Sequence, residues 1–211
     1  MKKLFGNLKM SWLTVILFAV IIGIYTGVVM LISIFDETSF QDIGISYEWW
    51  VIFAVIIVVN CQKNWEAMLK CFVFFLISQP IIYAVEVIFG NEMTWQTAFY
   101  NYYLHTWLPA TLLTIPGGFI AYYCKKQNWL GAIILALGNT MQAGLGIYYL
   151  AQAVKDFPHH ILSSVLSFAS IVVMGMYIQK EKKYRLISIL IPFAFVAVIA
   201  VLLKLSGRTF I

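Results

Sequence analysis

The chain alternates between long apolar blocks and short polar breaks over its whole length. This pattern predicts seven transmembrane helices, at approximately residues 11–34, 47–61, 68–89, 98–123, 129–152, 161–178 and 186–204. All but the second block are long enough to cross a hydrocarbon core of about 30 Å at a rise of about 1.5 Å per residue. The second block reaches only about 22 Å, so it forms either a short span or a re-entrant segment.

The first block begins like a signal peptide, because Lys2 and Lys3 precede a long apolar run. The run from Ser11 to Phe35 is longer than the apolar region of a signal peptide, and no small-residue cleavage site follows it. We therefore expect a retained first span, with a processed signal peptide as the alternative.

The positions of lysine and arginine decide how the second block is interpreted. With seven spans and a cytoplasmic N-terminus, only Lys155, Lys204 and Arg208 of the 14 basic residues lie outside. Without the second span, eight of the 14 would lie outside. Because cytoplasmic loops are enriched in Lys and Arg, the sequence predicts seven spans, an N-terminus inside and a C-terminus outside. The cytoplasmic positions are then Lys2, Lys3, Lys9, Lys63, Lys70, Lys125, Lys126, Lys180, Lys182, Lys183 and Arg185.

Acidic residues and cysteines agree with this orientation. The three cysteines, Cys61, Cys71 and Cys124, fall near the cytoplasmic face, where thiols stay reduced, so no disulfide is expected. A seven-span receptor of the G-protein-coupled kind would have the opposite orientation, so the sequence argues against that class of protein. The acids predicted to lie outside are Asp36, Glu37, Asp42, Glu48, Glu92 and Asp156.

Composition supports the same class of protein. Hydrophobic residues make up 62% of the 211 residues and charged residues only 11%, whereas soluble domains carry roughly 25% charged residues. We therefore predict an all-α, polytopic integral membrane protein whose residues 1–211 form a single transmembrane domain in a lipid bilayer. The loops are too short to hold a soluble domain or a nucleic-acid-binding surface.

Small residues at four-residue spacing predict where helices pack closely, because such residues let two backbones approach in a membrane. We expect the fourth and fifth spans to form an antiparallel hairpin, and a third small face marks the sixth span. The three faces are Thr106, Ala110, Thr114 and Gly118; Ala132, Ala136, Thr140 and Gly144; and Ser163, Ser167 and Ser170.

Polar residues inside the spans form the candidate binding site. Gln79, Tyr83 and Glu86 share one helical face of the third span, and acids within a membrane are a functional hypothesis by default. His105 of the fourth span lies at a depth from which it could reach Glu86, and Asn139 and Gln142 share a face of the fifth. Together the six predict an outward-opening pocket for a cation or a flat polar solute. The alternative is that they only join helices.

Catalytic and metal-binding signatures are weak or missing in the sequence. No aspartate falls inside a span, and no HExxH, CxxC, Walker or dinucleotide-binding motif occurs. The one metal-like stretch is "DFPHH", with Asp156, His159 and His160. Adjacent histidines on a helix diverge by about 100°, so they rarely hold one ion together, and the stretch is better interpreted as a helix start in which Asp156 or Pro158 sets the turn. We expect no enzyme activity, no metal and no cofactor.

Two functional hypotheses follow. The first is a transporter of a small cationic or flat polar solute, or the substrate-binding subunit of a transporter. The second is an assembly, immunity or regulatory subunit that packs against a membrane-protein partner. A membrane enzyme acting on a lipid ranks third because no motif supports it. The basic inner loops suit a bacterial plasma membrane.

Overall fold

The structure is a computed structural model that describes residues 10–36, 38–45, 47–90 and 93–205, with the side chains at 45, 47, 48 and 203–205 left aside. Among these residues every regular element is helical. Lys2, Lys3, Lys9, Glu37, Glu92 and Arg208, which enter the topology prediction, lie outside the described residues, as do the side chains of Glu48 and Lys204. The α-helices are α1 Trp12–Leu31, α2 Ser39–Ile45, α3 Tyr47–Asn60, α4 Asn64–Phe89, α5 Leu108–Ala121, α6 Trp129–Lys155, α7 Ile161–Ile178 and α8 Lys182–Leu205.

Five helices in the described part of the chain are long and apolar enough to cross a membrane: α1, α4, α6, α7 and α8. Many of their large apolar side chains point away from the protein, such as Ile21 and Leu137 at 63% and 64% exposure. A bilayer is the environment in which such surfaces are stable. The predicted all-α membrane class is confirmed in this form. The count of seven spans and their orientation stay predictions.

Two predicted spans do not appear as long α-helices. The second is α3, an apolar helix of 14 residues. The fourth is divided between a π-helical segment, Thr97–Trp107, and the 14-residue α5. In a π-helix each turn is wider and the backbone bonds join residues five apart, so the side chains of this segment do not follow the α-helical spacing assumed from sequence.

Side-chain hydrogen bonds fix the starts of α1, α4 and α6. The Thr14 backbone N–H donates to Ser11 Oγ at 3.1 Å, and the Gly131 N–H donates to Asn128 Oδ1 at 2.9 Å. At α4 the Glu66 carboxylate accepts from the Gln62 N–H at 2.8 Å. This cap explains why α4 begins at Asn64, four residues before the predicted boundary of the third span.

Contacts divide the chain into two compact units, an N-terminal unit, Lys2–Tyr122, and a C-terminal unit, Tyr123–Ile211. The sequence predicts that residues 1–211 form a single transmembrane domain. This division into units does not test that prediction. The N-terminal unit holds α1 to α5, and the C-terminal unit holds α6 to α8.

In the N-terminal unit α1 and α4 pack side by side in the same direction. A Cβ at Gly23 would lie 2.9 Å from Ile81, and one at Gly27 would lie 2.7 Å from Val85. Moving four residues forward along α1 thus corresponds to moving four residues forward along α4, as expected for parallel helices. Where both helices begin, the buried Lys70 ammonium donates to the backbone oxygen of Met10, just before α1.

The short helix α3 runs antiparallel to α4. The ring of Trp50 lies 5.6 Å from that of Phe75, and Cys71 Sγ donates to the Ala54 oxygen at 3.8 Å. Residue numbers therefore increase along α3 in the direction in which they decrease along α4, so the two helices run in opposite directions. Because α1 and α4 are parallel, α3 provides the return path between them.

Helix α5 packs antiparallel to α4 through one member of the predicted small face. A Cβ at Gly118 would lie 3.1 Å from the Met68 Cα, whereas Thr106 and Ala110 are exposed. The Tyr122 hydroxyl continues the contact by donating to the Gln62 oxygen. The predicted hairpin of the fourth and fifth spans would join the two units and stays a prediction.

In the C-terminal unit α6 packs on both α7 and α8. The Ser164 hydroxyl of α7 donates to the Gly146 oxygen of α6 at 2.9 Å, and a Cβ at Gly146 would lie 2.8 Å from the Phe168 ring. The glycine of the predicted small face, Gly144, has no neighbour within 4 Å of an added Cβ. The predicted face of α6 is thus partly right: Ala132 and Ala136 are buried, but further along the helix the close contact falls at Gly146 rather than at Gly144. On α7 the predicted face is partly right, since Ser163 and Ser167 are buried.

Both units share one packing pattern. In the C-terminal unit the Trp129 ring of α6 lies 6.0 Å from Tyr184 of α8, and Asn139 contacts Ser188 further along, so these two helices also run parallel. In each unit two long helices therefore pack in parallel, and one antiparallel helix connects them. The later helix of each pair carries an internal proline, Pro80 in α4 and Pro192 in α8.

Candidate binding cavity in the N-terminal unit

The predicted polar face of α4 is buried. Gln79, Tyr83 and Glu86 are 3%, 7% and 7% exposed, respectively. The Tyr83 ring stacks on Tyr102 of the π-helical segment, with ring centres 6.2 Å apart. The sequence thus located a face of α4 that turns into the protein, although only Glu86 of the three lines the cavity described next.

An open cavity of about 530 Å³ lies where α1 and α4 both end. Its polar lining consists of Ser33, Asp36 and Glu86. Its apolar lining comes from Met30 and Leu31 at the end of α1, Phe89 at the end of α4, and Met93. A cavity of this size is within the usual range for small-molecule sites.

Backbone geometry at the two helix ends creates the space. Helix α1 stops at Leu31 because Ile32 adopts an extended conformation, and a 3₁₀ turn, Ser33–Phe35, follows. Helix α4 ends at Phe89, and the N–H of the following residue, Gly90, donates to the Glu86 oxygen at 2.8 Å. A Cβ on Gly90 would meet that oxygen and would lie 2.9 Å from the Leu31 side chain. Glycine therefore allows the two ends to approach each other beside the cavity.

Glu86 is the most unusual side chain of this cavity. Its Oε1 atom is buried and has no hydrogen-bond partner among the described residues. A buried carboxylate without a donor is costly, and native proteins pair almost all such groups. Because Glu86 also lines an open cavity, its carboxylate is placed to bind a cation there.

Asp36 supplies a second carboxylate in a different setting. Its side chain is exposed, and its Oδ1 atom accepts from Gln41 Nε2 of α2 at 2.9 Å. The cavity therefore has one buried acid and one exposed acid, carried by two different parts of the fold.

His105 contacts Tyr100 of its own segment, and its predicted pairing with Glu86 stays a prediction. It is exposed, its Nδ1 lies 2.6 Å from the Tyr100 oxygen, and its ring meets the Tyr100 ring edge-on. No ion pair joins His105 to Glu86 within the described residues. The physical reason is the π-helical turn, in which residue 105 faces the carbonyl five positions earlier.

Asn139 and Gln142 are fully buried in the C-terminal unit. Asn139 Nδ2 donates to the Ser188 oxygen of α8 at 2.9 Å, and the Ser170 hydroxyl of α7 lies 3.5 Å from Gln142 Oε1. These contacts join α6 to its neighbours, which favours the alternative that amides hold helices together. A single pocket made by all six predicted residues stays a prediction.

Asp36 and Ser33 are the polar side chains of the cavity that the sequence analysis did not predict. Asp36 was interpreted only as a topology signal, because it follows the first span rather than lying within one. A usable signal was present: Asp36 and Glu86 lie near the same ends of two predicted spans that run in the same direction.

The "DFPHH" stretch forms no metal site with the described residues. His159 Nδ1 lies 3.5 Å from Asp156 Oδ2, while His160 stacks on Tyr149 with ring centres 5.7 Å apart. The two histidines thus have different partners. No group of three His, Cys, Asp or Glu side chains suitable for a metal occurs in the part of the chain that the structure describes.

In comparisons with known proteins, no family model, curated protein or solved structure matches this chain.

Proposed function

We propose that this chain binds a small organic cation in the cavity at the ends of α1 and α4 and carries it across a membrane. It acts either as a transporter itself or as the substrate-binding subunit of one, and it is not an enzyme. The observation that carries the proposal is the buried Glu86 carboxylate, whose Oε1 lacks a partner among the described residues beside an open cavity.

The proposal includes seven spans with a cytoplasmic N-terminus. Parallel packing of α1 and α4 supports this count, because the chain must return between them and α3 runs in the return direction. The charges support the orientation: Lys63 and Lys70 lie near the start of α4, and Asp36 lies in the cavity at its far end. The cavity then opens to the outside of a bacterial plasma membrane.

Two features of the helices favour transport over simple binding. Pro80 and Pro192 interrupt hydrogen bonding inside α4 and α8, which allows a helix to bend. The two units also repeat a pair of parallel helices with an antiparallel connection, and internal repeats are common among transporters. A carrier requires both a substrate site and elements that can move around it.

The second candidate function is a regulatory or assembly subunit. The observation that favours it is the exposure of α8, which is the least buried of the five long helices. Such a face contacts lipid or a helix of a partner. This function needs no ligand in the cavity, so ligand binding distinguishes the two.

Thermal unfolding of the purified protein in detergent, with a panel of amines, uncharged alcohols and carboxylic acids, tests the proposal. We expect amines alone to raise the melting temperature, since a ligand at a hundredfold its Kd stabilises by about 2.7 kcal/mol. Glu86→Gln should lose the effect, and Glu181→Gln, an exposed acid outside the cavity lining, should keep it. No stabilisation by any amine would favour the partner-subunit function.

Uptake into proteoliposomes then separates a transporter from a binding subunit. Labelled amine should accumulate in vesicles that contain the wild-type protein and should not accumulate with Glu86→Gln. Binding in detergent without uptake would assign the chain as a subunit that presents substrate to another protein.

A further inference from the structure

The cavity offers two carboxylates with unequal exposure. Glu86 is 7% exposed, with Oε1 unpartnered within the described residues, whereas Asp36 is exposed and has one oxygen held by Gln41. One acid therefore belongs to the interior of the site, and the other belongs to its rim. A ligand with one positive charge at each end can pair with both carboxylates.

The remaining lining is mainly apolar. Met30, Leu31, Phe89 and Met93 contribute hydrocarbon and thioether surface, and Ser33 contributes a hydroxyl. A hydrated divalent metal ion would leave this surface unmatched, since Ca²⁺ takes about six to eight oxygen ligands and Mg²⁺ keeps several waters. A chain of methylene groups matches it, because apolar ligand surface gains free energy on leaving water.

We propose that the occupant is a linear aliphatic diamine. One ammonium group binds the buried Glu86 carboxylate, the methylene chain lies along the apolar lining, and the second ammonium group binds Asp36 at the rim. This inference rests on the proposed cation-binding function and specifies its substrate class.

The two charges contribute unequally. Removing one partner of a buried charge pair is strongly destabilising, so loss of Glu86 should weaken binding by about a hundredfold or more. An exposed ion pair contributes up to about 1 kcal/mol, so the second ammonium should improve binding about fivefold. That gain should shrink with added salt, because exposed charges are screened.

Calorimetric titration of the protein in detergent with two probes that share a five-carbon chain tests this inference. The probes are diaminopentane, with an amine at each end, and pentylamine, with one. Wild type should bind diaminopentane about fivefold more tightly. Asp36→Asn should bind both probes with equal affinity. Asp156→Asn, an exposed acid outside the cavity lining, should behave as wild type.

The outcomes separate this inference from the proposed function. Equal binding of both probes by wild type would overturn the diamine and leave a site for a single cation. Binding of neither probe would overturn both the inference and the proposed function. Displacement of diaminopentane by millimolar Mg²⁺ or Ca²⁺ at constant ionic strength would replace the diamine by a metal ion. Because Asp36 is exposed, its variant remains informative if Glu86→Gln fails to fold.

Discussion

Gly27 of α1 lies so close to Val85 of α4 that a Cβ at position 27 would come within 2.7 Å of the Val85 Cβ. Val85 immediately precedes Glu86, so this contact sets the distance between the two helices just below the cavity. The seam of α1 and α4 is therefore both a packing element and a support for the candidate site.

Substitution of Gly27 should destabilise the N-terminal unit. Gly27→Val adds atoms where no space exists, and overpacking of this kind costs about 1–3 kcal/mol. Thermal unfolding in detergent measures the change. The matched control is Gly117→Ala in α5, where an added Cβ has no neighbour within 4 Å and alanine favours the helix. An unchanged melting temperature for Gly27→Val would contradict the close seam.

Glu86→Gln should not reduce stability in the absence of ligand. Its Oε1 makes no hydrogen bond among the described residues, and removing an uncompensated buried charge relieves a desolvation cost. We expect an unchanged or higher melting temperature. A fall equivalent to about 2 kcal/mol or more would mean that Glu86 joins helices, and the cavity would then lose its main argument.

Asn139→Ala should destabilise the C-terminal unit by about 1–2 kcal/mol, since interhelical hydrogen bonds in membranes are modest and a small cavity adds to their loss. Asn139 Nδ2 bonds the Ser188 oxygen of another helix. The control is Thr140→Ala, because Thr140 Oγ1 bonds Ala136 of its own helix at 2.9 Å. Asn139→Ala should therefore lower the free energy of unfolding more than Thr140→Ala does. An equal decrease for both variants would argue against an interhelical role for Asn139.

The native cysteines should react slowly with maleimides. Cys61, Cys71 and Cys124 are 3%, 1% and 3% exposed. Burial also raises the pKa of Cys124 to about 12, so the reactive thiolate is scarce at neutral pH. Mass spectrometry should detect labelling only after denaturation. Rapid labelling of Cys124 in the folded protein would contradict its burial.

This low background permits a direct test of membrane orientation. A membrane-impermeant maleimide should label Phe157→Cys in intact cells and Glu181→Cys only after lysis, because the two positions lie on opposite sides in the seven-span topology. Both side chains are well exposed, at 74% for Phe157 and 52% for Glu181. Labelling of Glu181→Cys in intact cells would reverse the orientation and place the cavity on the cytoplasmic side.

Apolar blocks predicted most helices well because a membrane helix must be continuous and apolar. The sixth predicted span matches α7, Ile161–Ile178, and the second ends one residue beyond α3, Tyr47–Asn60. The π-helical segment Thr97–Trp107 could not be predicted from hydrophobicity, because its wider turn depends on backbone bonding rather than on composition.

The candidate site was only partly predicted, because spacing along one helix can be read from the sequence whereas contacts between helices cannot. Spacing along one helix identified the face of Gln79, Tyr83 and Glu86, since α-helical periodicity is a local property. The pairing of His105 with Glu86 stays a prediction: His105 contacts Tyr100, and Asp36 lines the cavity together with Glu86. Which residues meet across helices depends on the register of α1 against α4, which follows from tertiary packing. The glycines at 23 and 27 were the available clue.

Parallel packing of α1 and α4 has an electrostatic consequence for the cavity. Aligned peptide dipoles give the C-terminal end of a helix a partial charge of roughly −0.5, and both of these helices end at the cavity. Neither helix has a basic residue in its last turn to neutralise that charge. Two helix termini thus add a fixed negative potential to that of Asp36 and Glu86, so the backbone itself attracts cations before any side chain binds them.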